Sequence, residues 1–213
     1  MFALIHIITK FLFPHRCLVC RRVDFLLCPD CKQELKLDYN DPLPDTLTLY
    51  SYKNKIIKKL IWHLKFKYHE PVSTLFAPDL ILATTYLFPE VQPQKIILIP
   101  IPTHSLNLKR RGYNQTLKLA EAIVAHDPEH FQLADVLIKI KKTKSQVECQ
   151  TKRERLKNIK KSFTLKNSSL NLSAKHICLI DDVITTGATI TEARRVLELS
   201  GFSNIKALAL AHG

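Results

Sequence analysis

Glycine is nearly missing from this chain, four residues in 213 against about 15 at average usage. Two of the four, Gly112 and Gly187, fall in the motifs described below. No Gly-Lys-Ser/Thr triplet occurs, which excludes a Walker A phosphate loop. Apolar runs of about 20 residues, the length needed to cross a bilayer, are also missing. The closest approach, Met1–Phe13, is interrupted by His6 and Lys10 and lacks a basic leading region and a small-x-small cleavage site. It is expected to be a short apolar helix packed on the body, with peripheral membrane contact as the alternative. Acids are scarce: 19 against 32 Lys and Arg, a net charge of +13. A balance that basic points to a polyanion, an acidic membrane face or a phosphorylated ligand. With 46% hydrophobic and 24% charged residues the chain is neither disordered nor low in complexity, and it contains no internal repeat.

Four of the six cysteines crowd together as Cys17-x2-Cys20-x7-Cys28-x2-Cys31. Two C-x2-C knuckles place four thiolates around one tetrahedral ion, a closed structural site, and imply a reducing compartment. Zinc suits a module too small to fold on its own core; an iron–sulfur centre is the alternative. The Pro- and Asp-rich stretch Asp38–Asp45 reads as a connector. The chain is thus expected to divide into residues 1–45, apolar helix and cysteine module, and 46–213.

The second part follows an α/β rhythm. Strands are expected at Leu47–Tyr52, Lys95–Pro100, Ile177–Ile180 and Ile205–Ala211. Helices are expected from Asn54, over 72–87, over Asn114–Ala125, over Pro128–Ile138 and over Ala188–Ser200. Continuous apolar strands alternating with helices predict a parallel sheet covered on both faces. In the helix after Asn54, Ile56, Ile57, Leu60, Ile61 and Leu64 form the apolar stripe. Its polar side carries Lys53, Lys55, Lys58, Lys59, Lys65 and Lys67 and no acid.

The segment richest in chemistry is Ile177-Cys-Leu-Ile-Asp181-Asp182-Val-Ile-Thr185-Thr186-Gly187-Ala188-Thr189. A buried strand delivers two carboxylates to its carboxyl end, where open α/β sheets bind ligands. A hydroxyl-rich turn with one glycine then opens into a helix N-terminus, whose free N–H groups favour phosphate. Acids that accept from vicinal hydroxyls beside a phosphate cradle describe a ribose 5-phosphate site.

This segment resembles the phosphoribosyl pyrophosphate (PRPP) motif of type I phosphoribosyltransferases. Together with the cysteine module, Arg111-Gly-Tyr-Asn-Gln115, and Arg155-Leu-Lys-Asn158 ahead of Phe163, the whole chain resembles the ComF family of competence proteins. The resemblance implies a type I phosphoribosyltransferase fold, an N-terminal zinc finger and a cytoplasmic role in natural transformation, handling incoming single-stranded DNA. It implies components of the DNA-uptake machinery as partners, with peripheral contact at the inner membrane as an accompaniment. By position, Asp181 and Asp182 would hold the ribose hydroxyls, partly through Mg²⁺. Thr185, Thr186, Gly187, Ala188 and Thr189 would wrap the 5′-phosphate, and Pro100–Thr103 would be the pyrophosphate loop. Purine-salvage members often carry an acid at the position of Thr185, so a threonine there speaks against purine salvage. Arg111, whose guanidinium fork matches phosphate oxygens, is the candidate for pyrophosphate, with Asn114 and Gln115 as polar support. No catalytic residue is assigned.

Single strands call for a basic track and aromatic platforms. The track is expected on the first long helix (Lys58, Lys59, Lys65) and in Lys139–Lys161, a stretch of net charge +8 that includes Lys141, Lys142, Lys144, Arg153 and Arg155. Arg153, Arg155 and Asn158 are expected to close over PRPP or contact nucleic acid, with a solvated basic run as the alternative. Trp62, Phe66 and Tyr68 are the aromatic candidates, though a lone tryptophan more commonly joins the core. A competence protein on a PRPP-binding scaffold accounts for the charge. A phosphoribosyltransferase of nucleotide metabolism and a PRPP-sensing regulator are the alternatives.

Overall fold

The computed structural model describes residues 16–67, 70–90, 95–141, 159–166 and 176–213. Met1–Phe13, Tyr68, Lys142, Lys144, Arg153, Arg155 and Asn158 lie outside them. In chain order the elements are α1 (Pro29–Gln33), β1 (Thr46–Ser51), α2 (Lys55–Phe66), α3 (Glu70–Leu87), β2 (Ile96–Pro100), α4 (Ser105–Arg111), α5 (Gln115–His126), β3 (Phe131–Leu133), β4 (Leu137–Lys139), β5 (Phe163–Leu165), β6 (Ile177–Ile184), α6 (Ala188–Leu199) and β7 (Ile205–His212). Among the described residues no helix is long and apolar enough to cross a membrane.

Five strands form a parallel sheet in the order β1-β7-β6-β2-β3. Side chains alternate across it. Leu98, Cys178, Ile180 and Leu208 join one core with α2, α3 and α5. Ile99, Ile177, Leu179 and Ala207 join the other with α6 and the antiparallel pair β4-β5. The doubly covered parallel sheet expected from the sequence is the fold.

Asn54 starts α2 as a cap, its Oδ1 accepting the Ile56 and Ile57 N–H groups at 2.8 and 3.2 Å. All five residues of the predicted stripe are buried, each worth about 1.5–3 kcal/mol when fully removed from water. The cysteine module packs on this helix. Cys17, Leu27, Cys28 and Cys31 share its core, Lys59 Nζ donates to Val19 O at 3.1 Å, and Asn54 Nδ2 donates to Glu34 O at 3.3 Å.

Two expectations are corrected. Pro128–Ile138 is not a helix but a turn followed by β3 and β4. Its apolar residues fit either period over so short a run, and pairing decides: Ile96, Ile97 and Leu98 of β2 take Phe131, Gln132 and Leu133 as parallel partners. The second concerns β6, which does not end at Ile180. Its pairing with β2 stops at Pro100↔Ile180, while pairing with β7 continues through Asp181↔Ala209, Val183↔Ala211 and Ile184↔His212. The two aspartates therefore lie inside a strand that has lost one neighbour and kept the other.

Candidate functional site

Successive strand residues set out towards opposite sides of the sheet, but the Asp181 and Asp182 carboxyls stay close enough to act directly on each other. Asp182 shares the face of Cys178 and Ile180, towards α2; Asp181 shares that of Ile177 and Leu179, towards β4. Both are buried, 8% and 5% exposed. Asp181 Oδ1 accepts the Asp182 N–H and Asp182 Oδ1 accepts the Val183 N–H, both at 2.8 Å. Each carboxylate is thus pinned by the backbone on one oxygen.

Three cations from three elements surround them. Lys65 Nζ of α2 lies 2.8 Å from Asp182 Oδ2, an ion pair that is not aligned as a hydrogen bond. Burial works to lower the Lys65 pKa, but the Asp182 and Asp181 carboxylates outweigh it and raise it. Lys139 of β4 is drawn down by burial and partly held up by Asp181. Arg111 is likewise lowered by burial and supported by Asp182. Burial, then the neighbouring Asp182 charge, pushes Asp181 up to about 8. Placing Lys65 on the outer basic face, as the sequence suggested, is therefore incomplete, since its ammonium turns inward to Asp182.

Beyond Ile184 the chain bends through Thr185 and Thr186 to Gly187, which precedes α6 with φ +73° and offers no side-chain cap. The backbone angle demands glycine, and a Cβ there would lie 2.2 Å from Leu43 Cδ1, so that the leucine side chain would have to turn away. Leu43 belongs to the expected connector, which lies against this turn; Arg194 Nη1 and Nη2 each donate to Pro44 O at 3.2 Å. Thr186 Oγ1 is buried with no hydrogen-bond partner among the described residues. Ala188 is buried, and Thr185 and Thr189 are half-buried. An uncapped helix start beside an unsatisfied hydroxyl suits an anion.

The turn after β2 faces the same end of the sheet. The Ile101 N–H donates to Ile180 O at 2.9 Å. The Ile101 carbonyl accepts from Asn114 Nδ2 at 3.2 Å and Thr116 Oγ1 at 2.5 Å. Asn114 thus stands at the start of α5 without capping it, and anchors the turn instead. Thr103 is half-buried in that turn. No helix is expected between turn and glycine, but α4 is there, begun by His104 and ended by Gly112 at φ +83°. Arg111 closes α4. Its Nη1 donates to Gln115 Oε1 at 3.1 Å, its Cζ sits 4.8 Å from the Phe66 ring centroid, and its Nε is buried with no partner among the described residues.

The outer face of α2 is basic and aromatic. Lys55, Lys58, Lys59 and Lys67 are exposed, as is Lys141 beyond β4. Trp62 does not join the core. It is 46% exposed, as is Phe66, and the two rings lie 5.9 Å apart. Lys67 Nζ sits 5.6 Å from the Trp62 ring, and Lys58 Nζ sits 5.9 Å from Tyr52. Phe66 therefore stands between the exposed tryptophan and Arg111.

The four cysteine sulfurs, Cys17, Cys20, Cys28 and Cys31, lie within 4.8 Å of one another, with Cys20 and Cys28 Sγ at 3.4 Å. Four Zn–S bonds of about 2.3 Å put sulfurs roughly 3.8 Å apart, so the set fits such an ion and leaves no open position. Burial opposes ionisation of Cys17, but backbone N–H groups of Cys28, Cys20 and Val19 bring its pKa down to about 6. The cluster can hold a metal such as zinc.

A parallel sheet covered on both faces, with an acid pair and an uncapped helix start at its carboxyl end, defines an α/β protein. No family model matches the chain. It is 30% identical over 187 residues to competence protein ComFC of Bacillus subtilis, covering 86% of this chain and 71% of that protein. On that match, the chain belongs to the ComF family of competence proteins. Competence protein F of Haemophilus influenzae is 32% identical over 114 residues, 54% of this chain and 49% of its own length. The chain thus spans about half of that relative. DNA utilization protein YhgH of Shigella flexneri is 24% identical over 209 residues, 91% of this chain and 88% of that protein. Among solved structures, adenine phosphoribosyl transferase from Trypanosoma brucei is similar at a TM-score of 0.45 and 14% identity, over 83% of this chain and 87% of that one.

Proposed function

We propose that this protein binds PRPP at the carboxyl end of its sheet and single-stranded DNA on the adjoining face of α2, as part of DNA uptake in natural transformation. Arg111 carries the reading. It follows the turn assigned to pyrophosphate, feels the Asp182 charge, and stacks on Phe66 at the edge of the exposed aromatic pair. Thr186 and the start of α6 receive the 5′-phosphate, and the aspartate pair receives the ribose hydroxyls. Mg²⁺ accompanies PRPP on its pyrophosphate oxygens, where such an ion keeps company with substrate phosphates. Zinc fills the cysteine cluster and holds it against α2. The relatives' names speak of competence and of DNA utilization. The basic and aromatic face is the surface chemistry that single strands need.

PRPP with Mg²⁺ raises the melting temperature on this reading; a ligand at 100 times its Kd adds about 2.7 kcal/mol. Asp181→Ala with Asp182→Ala abolishes the shift. An unchanged melting temperature for the wild-type protein at millimolar PRPP would refute the site.

A further inference from the structure

Resting on the phosphoribosyl reading, we propose that Lys65 is the resident cation of the carboxylate pair, so that a ribose diol binds Asp181 and Asp182 without a divalent ion. Among the lysines of α2, Lys55, Lys58 and Lys59 are exposed, whereas the Lys65 side chain is 22% exposed and ends 2.8 Å from Asp182 Oδ2. Its place is fixed by the helix: Ile61 and Leu64 beside it are buried in the core, and Asn54 sets where the helix begins. Of the four carboxylate oxygens, two already accept backbone N–H groups and a third faces the ammonium.

Mg²⁺ asks for near-octahedral oxygen ligands at about 2.0–2.1 Å and gives up water reluctantly. Here it would have to displace the half-buried Lys65 ammonium and add two charges where Lys65, Arg111 and Lys139 already act on the aspartate pair. The residues present do not fit a divalent ion at Asp182. They fit a neutral diol, whose hydroxyls donate to carboxylate oxygens while the ammonium keeps the pair neutralised.

The test uses ribose 5-phosphate, which keeps the diol and the 5′-phosphate but lacks the pyrophosphate that carries its own Mg²⁺. Calorimetric titration of the metal-loaded full chain is run in buffer freed of divalent ions over a chelating resin, then with added Mg²⁺; no soluble chelator is used, because it would strip the cysteine cluster. Wild-type Kd is expected to agree within about twofold between the two buffers. Lys65→Met is expected to bind at least tenfold more weakly without Mg²⁺ and to recover part of that loss with it. Wild-type binding that tightens tenfold or more on adding Mg²⁺ overturns the inference and leaves the phosphoribosyl reading standing. Lys65→Met binding as tightly as wild type without Mg²⁺ overturns it too. No wild-type binding in either buffer overturns the phosphoribosyl reading and the inference with it. The wild-type comparison decides the point even if the variant fails to fold.

Discussion

The guanidinium carbon of Arg111 sits 4.8 Å from the centre of the Phe66 ring, joining the end of α4 to the exposed face of α2. One side of the guanidinium is occupied by the ring, Gln115 holds Nη1, and the buried Nε has no partner among the described residues. That leaves an oriented donor at the edge of the carboxylate site. Phe66 is thus a positioning residue for Arg111 on the proposed reading.

Phe66→Leu is therefore expected to weaken PRPP binding without unfolding the protein. Losing a partly exposed cation–π contact costs about 0.5–1 kcal/mol, a two- to fivefold rise in Kd by calorimetry. Arg111→Lys keeps the charge but loses the fork, and is expected to cost more than the Phe66 change. Equal affinities for wild type and both variants would remove Arg111 from the site.

The Asp181 carboxyl makes stability fall as pH rises. In the fold it keeps its proton up to about pH 8, whereas in the unfolded chain it ionises near pH 4. Between these values the folded state binds the extra proton. Its contribution is thus full below about pH 4 and is lost progressively towards pH 8. Urea unfolding at pH 5 and pH 8 is expected to show a larger drop for wild type than for Asp181→Asn, which cannot ionise. Equal drops in the two proteins would contradict it.

Removing a thiolate from the cysteine cluster is expected to unfold more than the cluster itself. Cys17 and Cys28 are buried in the same core as α2 and α3, and metal binding energy is folding energy in such modules. Freshly purified, reduced protein is expected to carry one zinc per chain by elemental analysis. Cys28→Ser is expected to lose both the metal and cooperative melting. Metal-free wild-type protein that melts normally would contradict this.

Much of this architecture is legible in the sequence because the deciding interactions are local or periodic. The stripe from Ile56 to Leu64 and the cap at Asn54 specify α2 outright, and the cysteine spacing specifies its cluster. What escapes is decided by neighbours far away in the chain. β6 runs past Ile180 because β7 continues beside it where β2 has stopped. The residues after Pro128 become strand because β2 offers an edge. Lys65 is one lysine among six in sequence, and only the approach of α2 to β6 turns it inward. Leu43 lies in a stretch that reads as a connector, yet it occupies the space beside Gly187 that a side chain there would need. The exposure of Trp62 reflects the same limit, since it lies off the apolar stripe but no periodicity shows what covers it.

Titration of single-stranded oligothymidylate, followed by fluorescence, reports on the proposed DNA face itself, because Trp62 is the one tryptophan of the chain and stands on that face. Oligothymidylate is expected to quench it, with affinity falling linearly in log salt by about 0.7 per phosphate contact. Bound PRPP is expected to change that affinity, since Arg111 serves both surfaces. Unchanged Trp62 emission and no DNA binding at low salt, in protein that PRPP still stabilises, would contradict the account and leave a small-molecule phosphoribosyl site without a DNA face.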